Sequence, residues 1–231
     1  MISMKNVNQL YGGTQILWDL DLQIEPGSIT CIMGRNGVGK TTLLKCLMGL
    51  LPIKNGEIRF ENNLLHKKSA ESRAYLGLGY VPQGRDIFPM LTVEENLRIG
   101  LPVRKDGAKQ IPEKIFTLFP VLEEMLHRRG GDLSGGQQQQ LAIGRALVLE
   151  PSVLILDEPN EGIQPNIVKQ IGDVILKLNK EEGLTVILVE QKLGFARRVG
   201  QSFRLIEKGR VVASDRMENL TDDLIRHYLA V

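Results

Sequence analysis

The sequence predicts an α/β fold carrying an inserted helical segment, and three observations lead to it. Two uninterrupted apolar runs, Val153 to Leu156 and Thr185 to Val189, have the character of strands buried on both faces of a parallel sheet. A third run, Ile29 to Met33, leads directly into GRNGVGKTTLLKCLMG, which reads as strand, glycine loop and helix. Between these parts, from Thr92 to about Leu149, the pattern turns helical.

The elements follow in order. Short β-rich runs lie near the start, around Ile24 and then Ile29 to Met33, and Gly49 and Pro52 end the helix behind the glycine loop. Glu57 to Phe60 and Leu78 to Val81 read as further strands. Thr92, with Glu95 three residues on, forms a capping box that opens the helical stretch. A helix from about Asn166 to Asn179 separates the two late apolar strands. FRLIEKGRVVA reads as a hairpin, and a last helix places Leu220, Leu224, Ile225 and Tyr228 on one face. With no low-complexity linker or internal repeat, residues 1–231 are expected to form one continuous domain, with a helical subdomain over about residues 84–149.

A chain of 231 residues can bury a large core yet stays near the size at which single cores stop growing. Twenty-nine basic against twenty-seven acidic residues give a net charge of +2, far from the positive field of a dedicated nucleic-acid binder. Cys31 and Cys46 sit inside apolar runs, where small buried side chains are expected, not a disulfide or a metal site. No run of eighteen apolar residues occurs and the start lacks a signal pattern, so any membrane role is expected to come through partners.

Gly34, Arg35, Asn36, Gly37, Val38, Gly39, Lys40 and Thr41 match G-x-x-x-x-G-K-[ST] in the required setting between a strand and a helix. Glycines let backbone N–H groups turn around phosphate oxygens, and the helix N-terminus adds partial positive charge. Lys40 supplies a full charge to the β and γ phosphates, Thr41 can place its hydroxyl on Mg²⁺, and Thr42 completes the binding set. The motif alone establishes nucleotide phosphate binding, which GTPases, kinases and many ATPases share.

Leu133-Ser134-Gly135-Gly136-Gln137 adds a second feature. Ser134 and Gln137 have capping-box spacing and set two glycines at a helix N-terminus, a second anion site. Two phosphate sites with a single phosphate loop make sense if the second serves another molecule's nucleotide. Asp157 and Glu158 end an apolar strand, so their carboxylates emerge at the carboxyl edge of the sheet, where α/β proteins bind ligands.

Taken with the phosphate loop, LSGGQ followed by QQQLAIGRAL and then VLILDEP resembles the ATP-binding cassette (ABC) ATPase family, and the resemblance covers essentially the whole chain. It implies a P-loop NTPase fold with a RecA-like core, an N-terminal antiparallel β subdomain and an inserted α-helical subdomain. It implies ATP and Mg²⁺ as the bound species. Two subunits would pack head to tail, each signature Ser134 to Gln137 closing over the partner's nucleotide. On this resemblance Asp157 holds Mg²⁺ through water, Glu158 polarises the attacking water, and Gln83 contacts Mg²⁺ and links the core to the helical subdomain. Tyr11 matches the aromatic that stacks on adenine, and Gln191 stands at the γ-phosphate switch.

Two positions depart from the family pattern. Gln191 stands where most members have His, and an amide can donate a hydrogen bond but cannot titrate, which leaves Glu158 as the base. Gln164 stands where Asp is common in the loop that crosses the dimer interface. These features, with the short cassette, resemble importers for branched-chain amino acids and their relatives. Within that group GGDLSGGQQQQLAIGRAL and EGIQPNIV are most similar to the urea-importer ATPase subunits, so urea is the expected cargo and an amino acid the alternative. The implied partners are a second, related ATPase subunit, two membrane-spanning permease subunits and an extracytoplasmic solute-binding protein, which puts the chain on the cytoplasmic face of the membrane.

Arg85 to Pro89, after Gln83, are the candidate contact with the membrane subunit, while Gln138 to Gln140 are expected at exposed helix positions. His66, His127 and His227 receive no role. A soluble ABC ATPase acting on DNA or the ribosome is the rival from another class. The paired cassettes, coiled-coil insertions and basic linkers usual there are not seen in this sequence.

Overall fold

The computed structural model describes residues 1–104 and 106–229. It opens with an antiparallel pair, β1 (Ile2–Tyr11) and β2 (Thr14–Ile24), both longer than their sequence suggested. The reason lies in Asn6 and Asp19, whose φ values of 48° and 41° put them in the left-handed region. Register shifts between Met4 and Val7 and between Val7 and Gln9 interrupt the alternation by which a strand is read from sequence.

β3 (Ile29–Met33) leads through the glycine loop into α1 (Lys40–Met48), which Gly49 ends in the left-handed conformation as expected. β4 (Asn55–Phe60) and β5 (Asn63–Leu64) complete the first sheet, in the order β2-β1-β4-β5. A short helix, α2 (Ala70–Tyr75), precedes β6 (Leu78–Val81).

The expected long helical stretch is four helices: α3 (Val93–Arg98), α4 (Glu113–Leu118), α5 (Pro120–Glu124) and α6 (Gly135–Leu147). Pro102, Pro112 and Pro120 break it, since each lacks a backbone N–H and clashes with the preceding turn. The two capping boxes read from sequence, Thr92 with Glu95 and Ser134 with Gln137, are both formed.

After them come β7 (Val153–Asp157), α7 (Pro165–Glu182), β8 (Thr185–Val189), α8 (Leu193–Val199), β9 (Ser202–Glu207), β10 (Arg210–Arg216) and α9 (Asp222–Tyr228). The second sheet has the order β10-β9-β3-β8-β7-β6, parallel except for β10. β8 therefore lies between β3 and β7, and the loops that follow all three emerge at one edge.

The apolar character of these strands follows from two cores. Ile29, Cys31 and Met33 of β3, with Leu154 and Leu156 of β7 and Val186 and Leu188 of β8, face a core shared with the inserted helices, α7 and α8. Ile32, Val153, Ile155, Ile187 and Val189 face the other, which lies against the first sheet and α1. Covered on both faces, such strands lose the polar alternation of a one-sided sheet. Cys31 and Cys46 are buried free thiols, as expected. In α9, Leu224, Ile225 and Tyr228 lean on the first core from the surface.

Gln139 and Gln140 correct an expectation: they are 3% and 1% exposed, not surface residues. α6 is wedged between α3 and α5 on one side and α7 on another, so little of its circumference reaches water. Gln140 donates from Nε2 to Gln170 Oε1 at 2.8 Å, and Gln138 donates to the Gly130 carbonyl at 3.2 Å.

Candidate nucleotide site

The loop after β3 needs its glycines for two distinct reasons. A Cβ on Gly34 would stand 2.4 Å from the Ile206 carbonyl oxygen of β9, and Gly39, at φ 108°, would bring one within 3.0 Å of Leu17. Gly39 is also the N-cap of α1 and caps it with no side chain, which leaves the first-turn N–H groups free for an anion. Lys40 is 5% exposed. Its Nζ donates to the carbonyls of Gly34 and Arg35 at 2.8 and 2.9 Å and stands 4.0 Å from Glu158 Oε1. Burial draws its pKa down, and the charges of Glu158 and Asp157 oppose that.

These groups surround a cavity of about 680 Å³. Of the residues singled out from sequence, Asn36, Gly37, Gly39, Lys40, Thr41 and Thr42 line it, as do Gln83, Glu158 and Gln191. Gly34 and Arg35 act through their carbonyls on Lys40, and Val38 packs against the second core. Tyr11, at the end of β1 and 45% exposed, does not line the cavity, whereas Ile16 of β2 does. Glu161, Glu190 and Lys192 also line it, and these the sequence reading did not select.

β7 delivers the two carboxylates to different surroundings. Asp157 is 1% exposed and neither of its oxygens has a hydrogen-bond partner. Burial lifts its pKa above the ordinary carboxylate value, and the nearby Thr41 hydroxyl pulls the other way. Asp157 is not itself among the residues that line the cavity, but its orphaned buried carboxylate lies near the Thr41 hydroxyl, which lines the cavity with the Gln83 amide; together they are a donor set suited to a hard divalent cation that keeps several waters. Among the described residues no cluster of three His, Cys, Asp or Glu could hold a metal by itself, so such an ion would depend on the phosphates as well.

Glu158 adopts φ 49°, its N–H donating to the Val189 carbonyl at 3.0 Å, and this turn aims its side chain into the cavity. Gln191 Nε2 donates to Glu158 Oε1 at 2.5 Å, so the expected base and the expected switch already touch. The Gln83 amide donates to Glu161 Oε2 at 3.0 Å.

Behind Gln191 lies Glu190, 3% exposed. Its Oε1 accepts the backbone N–H groups of Gln191 and Lys192, both at 2.8 Å, and its Oε2 accepts from Asn160 Nδ2 at 2.6 Å. Lys192 Nζ donates to the Asn160 carbonyl at 2.7 Å. Burial raises the Glu190 pKa against the pull of these donors. The only sequence signal for this residue is a carboxylate directly after an apolar β8, the pattern that singled out Asp157 and Glu158 after β7.

The LSGGQ residues lie elsewhere. Ser134, Gly135, Gly136 and Gln137 line a separate cavity of about 320 Å³ with Gly162 and Gln164, and no residue of the phosphate loop borders it. Ser134 Oγ accepts the Gln137 N–H at 3.4 Å, and Gln137 Oε1 accepts the Ser134 N–H at 2.9 Å. Arg85 bridges this surface to the first site, donating to Gln138 Oε1 at 3.1 Å and to the Glu161 carbonyl at 3.4 Å.

Known proteins share this arrangement. A protein-family profile described as ABC transporter matches residues 17–161, a span that holds the phosphate loop, Gln83, LSGGQ and both β7 carboxylates. The high-affinity branched-chain amino acid transport ATP-binding protein BraG of Pseudomonas aeruginosa is 40% identical over 216 residues, 93% of this chain and 92% of that protein. The probable branched-chain amino acid transport ATP-binding protein LivF of Archaeoglobus fulgidus is 36% identical over 98% of this chain and 95% of its own length. Among solved structures, a dimeric ATP-binding cassette in a post-hydrolysis state bound to ADP and Pi superposes with a TM-score of 0.86 at 28% identity, covering 94% of this chain and 99% of that one. A cavity that can hold a nucleotide's phosphates, a second glycine-capped helix facing elsewhere, and these likenesses converge: the chain belongs to the ABC transporter family, as an ATP-binding subunit that hydrolyses ATP.

Proposed function

We propose that the chain is the motor subunit of an amino-acid importer of the branched-chain type, working in an ATP-closed pair of cassettes beneath a membrane-embedded permease supplied by a solute-binding protein. The observation that carries the paired state is the separation of the two anion-binding surfaces. One chain holds a phosphate-loop cavity and an LSGGQ cavity that do not meet, so a complete site takes one half from each of two chains. The cargo reading rests on the amino-acid transport names of the similar proteins, among them the glutamate/aspartate import ATP-binding protein GltL of Escherichia coli, 32% identical over 96% of this chain. These support an amino acid better than the urea expected from sequence. Urea stays as a second reading on the segments Gly130 to Leu147 and Glu161 to Val168.

In this reading, N–H groups of α1 and the Lys40 ammonium hold the β and γ phosphates, while Ile16 lines the cavity from β2. Mg²⁺ fits the Asp157, Thr41 and Gln83 donors, and when bound it supplies positive charge to the phosphate oxygens. Glu158 accepts the proton of the attacking water. The Gln191 amide orients the Glu158 carboxylate and, once a γ-phosphate is present, can donate to it. Tyr11, exposed and outside the cavity lining, is the aromatic left to stack on the base once a nucleotide is bound. Arg85 to Pro89 meet the permease, and among the described residues no helix is long and apolar enough to cross a membrane.

Light scattering of a Glu158→Gln variant tests the pairing. Mg-ATP should drive association of the full chain, and adding Ser134→Arg should abolish it. ATP-driven uptake into vesicles carrying the reconstituted complex tests the cargo, with labelled leucine, glutamate and urea compared. Uptake of leucine or glutamate supports the main reading, and uptake of urea alone replaces it with the second.

A further inference from the structure

The loop that begins with Glu158 and the switch that follows β8 are tied together at the cavity wall by a contact between Asn160 and Glu190. Asn160 is completely buried and Glu190 is 3% exposed. The bond between them, Asn160 Nδ2 to Glu190 Oε2 at 2.6 Å, joins residues 30 positions apart. The other oxygen of Glu190 takes both backbone N–H groups that set the direction of Gln191 and Lys192. Lys192 Nζ closes the loop on the Asn160 carbonyl.

A buried carboxylate with three donors is held in one geometry, because losing any donor leaves a desolvated charge underpaired. Where Asn160 sits therefore determines where Gln191 points. Gln191 in turn bonds Glu158, two residues before Asn160, so the cluster forms a closed ring of contacts from Glu158 through Asn160, Glu190 and Gln191 back to Glu158.

We propose that Asn160 and Glu190 are positioning residues for hydrolysis: a buried clamp that makes the alignment of Gln191 on Glu158 follow the position of the loop from Glu158 to Gln164. This rests on the reading that Glu158 and Gln191 act at the γ-phosphate. Gly162 and Gln164 of the same loop line the LSGGQ cavity, so what happens on that surface reaches the reacting end through Asn160. The clamp makes no hydrogen bond to the phosphate loop or the LSGGQ residues, so its loss is expected to leave Lys40 and the N–H groups of α1 in place while Gln191 loses its alignment.

The polarity of the contact gives its test. Asn160→Asp sets carboxylate against carboxylate. Combining it with Glu190→Gln returns one amide and one carboxylate with the donor reversed, because the Gln side-chain oxygen can still accept the two backbone N–H groups. With the full chain and Mg-ATP, Asn160→Asp should lower kcat about tenfold or more with KM for ATP within about twofold. The double variant should return kcat to within roughly threefold of the parent, the behaviour of directly coupled residues. An unchanged kcat, a loss confined to KM, or a double variant no better than the single one overturns the proposal. If Asn160→Asp does not fold by thermal melting, Asn160→Ala is measured instead; a kcat at the parent level then overturns the clamp, and a lowered kcat with unaltered KM supports it. Glu158→Gln runs alongside: if it hydrolyses ATP at the parent rate, the reading of the site fails, whatever position 160 does.

Discussion

α1 and α6 each begin at glycines and each present an N-terminus to an anion, yet they are built in opposite ways. α1 has no side-chain cap, and its leading N–H groups stand open beside a buried Lys40, on a cavity also lined by Glu158, Glu161 and Glu190. α6 satisfies its own first turn through the Ser134 and Gln137 box and has no lysine or acid in its cavity. An uncapped end can bind phosphate alone. A capped end offers less and becomes useful when another chain's phosphate is brought to it. On the function proposed above, the difference makes α1 the site of affinity and chemistry and α6 the site of pairing.

That division can be broken in four ways. Glu158→Gln should reduce ATP turnover by about 10²-fold to 10⁴-fold while equilibrium binding of ATP is kept, since the acid acts on the water and not on the phosphates; loss of binding instead would move Glu158 into the affinity group. Gly39→Ala should destabilise the fold by about 1–2 kcal/mol in denaturant melts, because its φ of 108° and the 3.0 Å approach to Leu17 both resist a side chain. Gly135→Ala at the other helix should be nearly neutral, meeting only the movable Arg85 guanidinium at 3.2 Å. Gln191→Ala should lower kcat about tenfold with KM unaltered, and an unchanged rate would remove Gln191 from the chemistry.

A further effect concerns Asp157. Burial lifts its carboxyl above the ordinary 3.8, so ionising it opposes folding at neutral pH, and that opposition fades as pH falls through the raised value toward 3.8. Asp157→Asn should therefore raise the neutral-pH melting temperature, and the gain should shrink in acid. Added Mg-ATP should stabilise the parent more than this variant.

How much of this was legible in the sequence depended on whether a feature is local. The phosphate loop, the β7 carboxylates and both capping boxes are short spacings with one physical meaning, and they stand where they were read. The doubly covered strands were equally plain. The β1 and β2 pair was not, because Asn6 and Asp19 break the alternation, and polar α2 carried no apolar face to read. The buried Gln139 and Gln140 were missed because composition alone cannot show that α6 is enclosed on several sides. Glu190 and Asn160 form a site only when β7 and β8 lie side by side, a fact of topology.

The strand order also decides where the molecule can give. β3, β8 and β7 are interior strands, each held by a neighbour on either side, so the rim that carries the phosphate loop, Gln191 and Glu158 is braced from both sides. β6 is the last strand of the sheet and leaves through Gly84, Arg85 and Asp86, three successive residues with φ of 85°, 75° and 47°. Two of those residues already sit away from the backbone shape that an L side chain favours, so a further rotation there starts from high ground. The helical insert thus joins the sheet at an edge strand, through a short run of residues whose backbone differs from that of the strands the rim is built on.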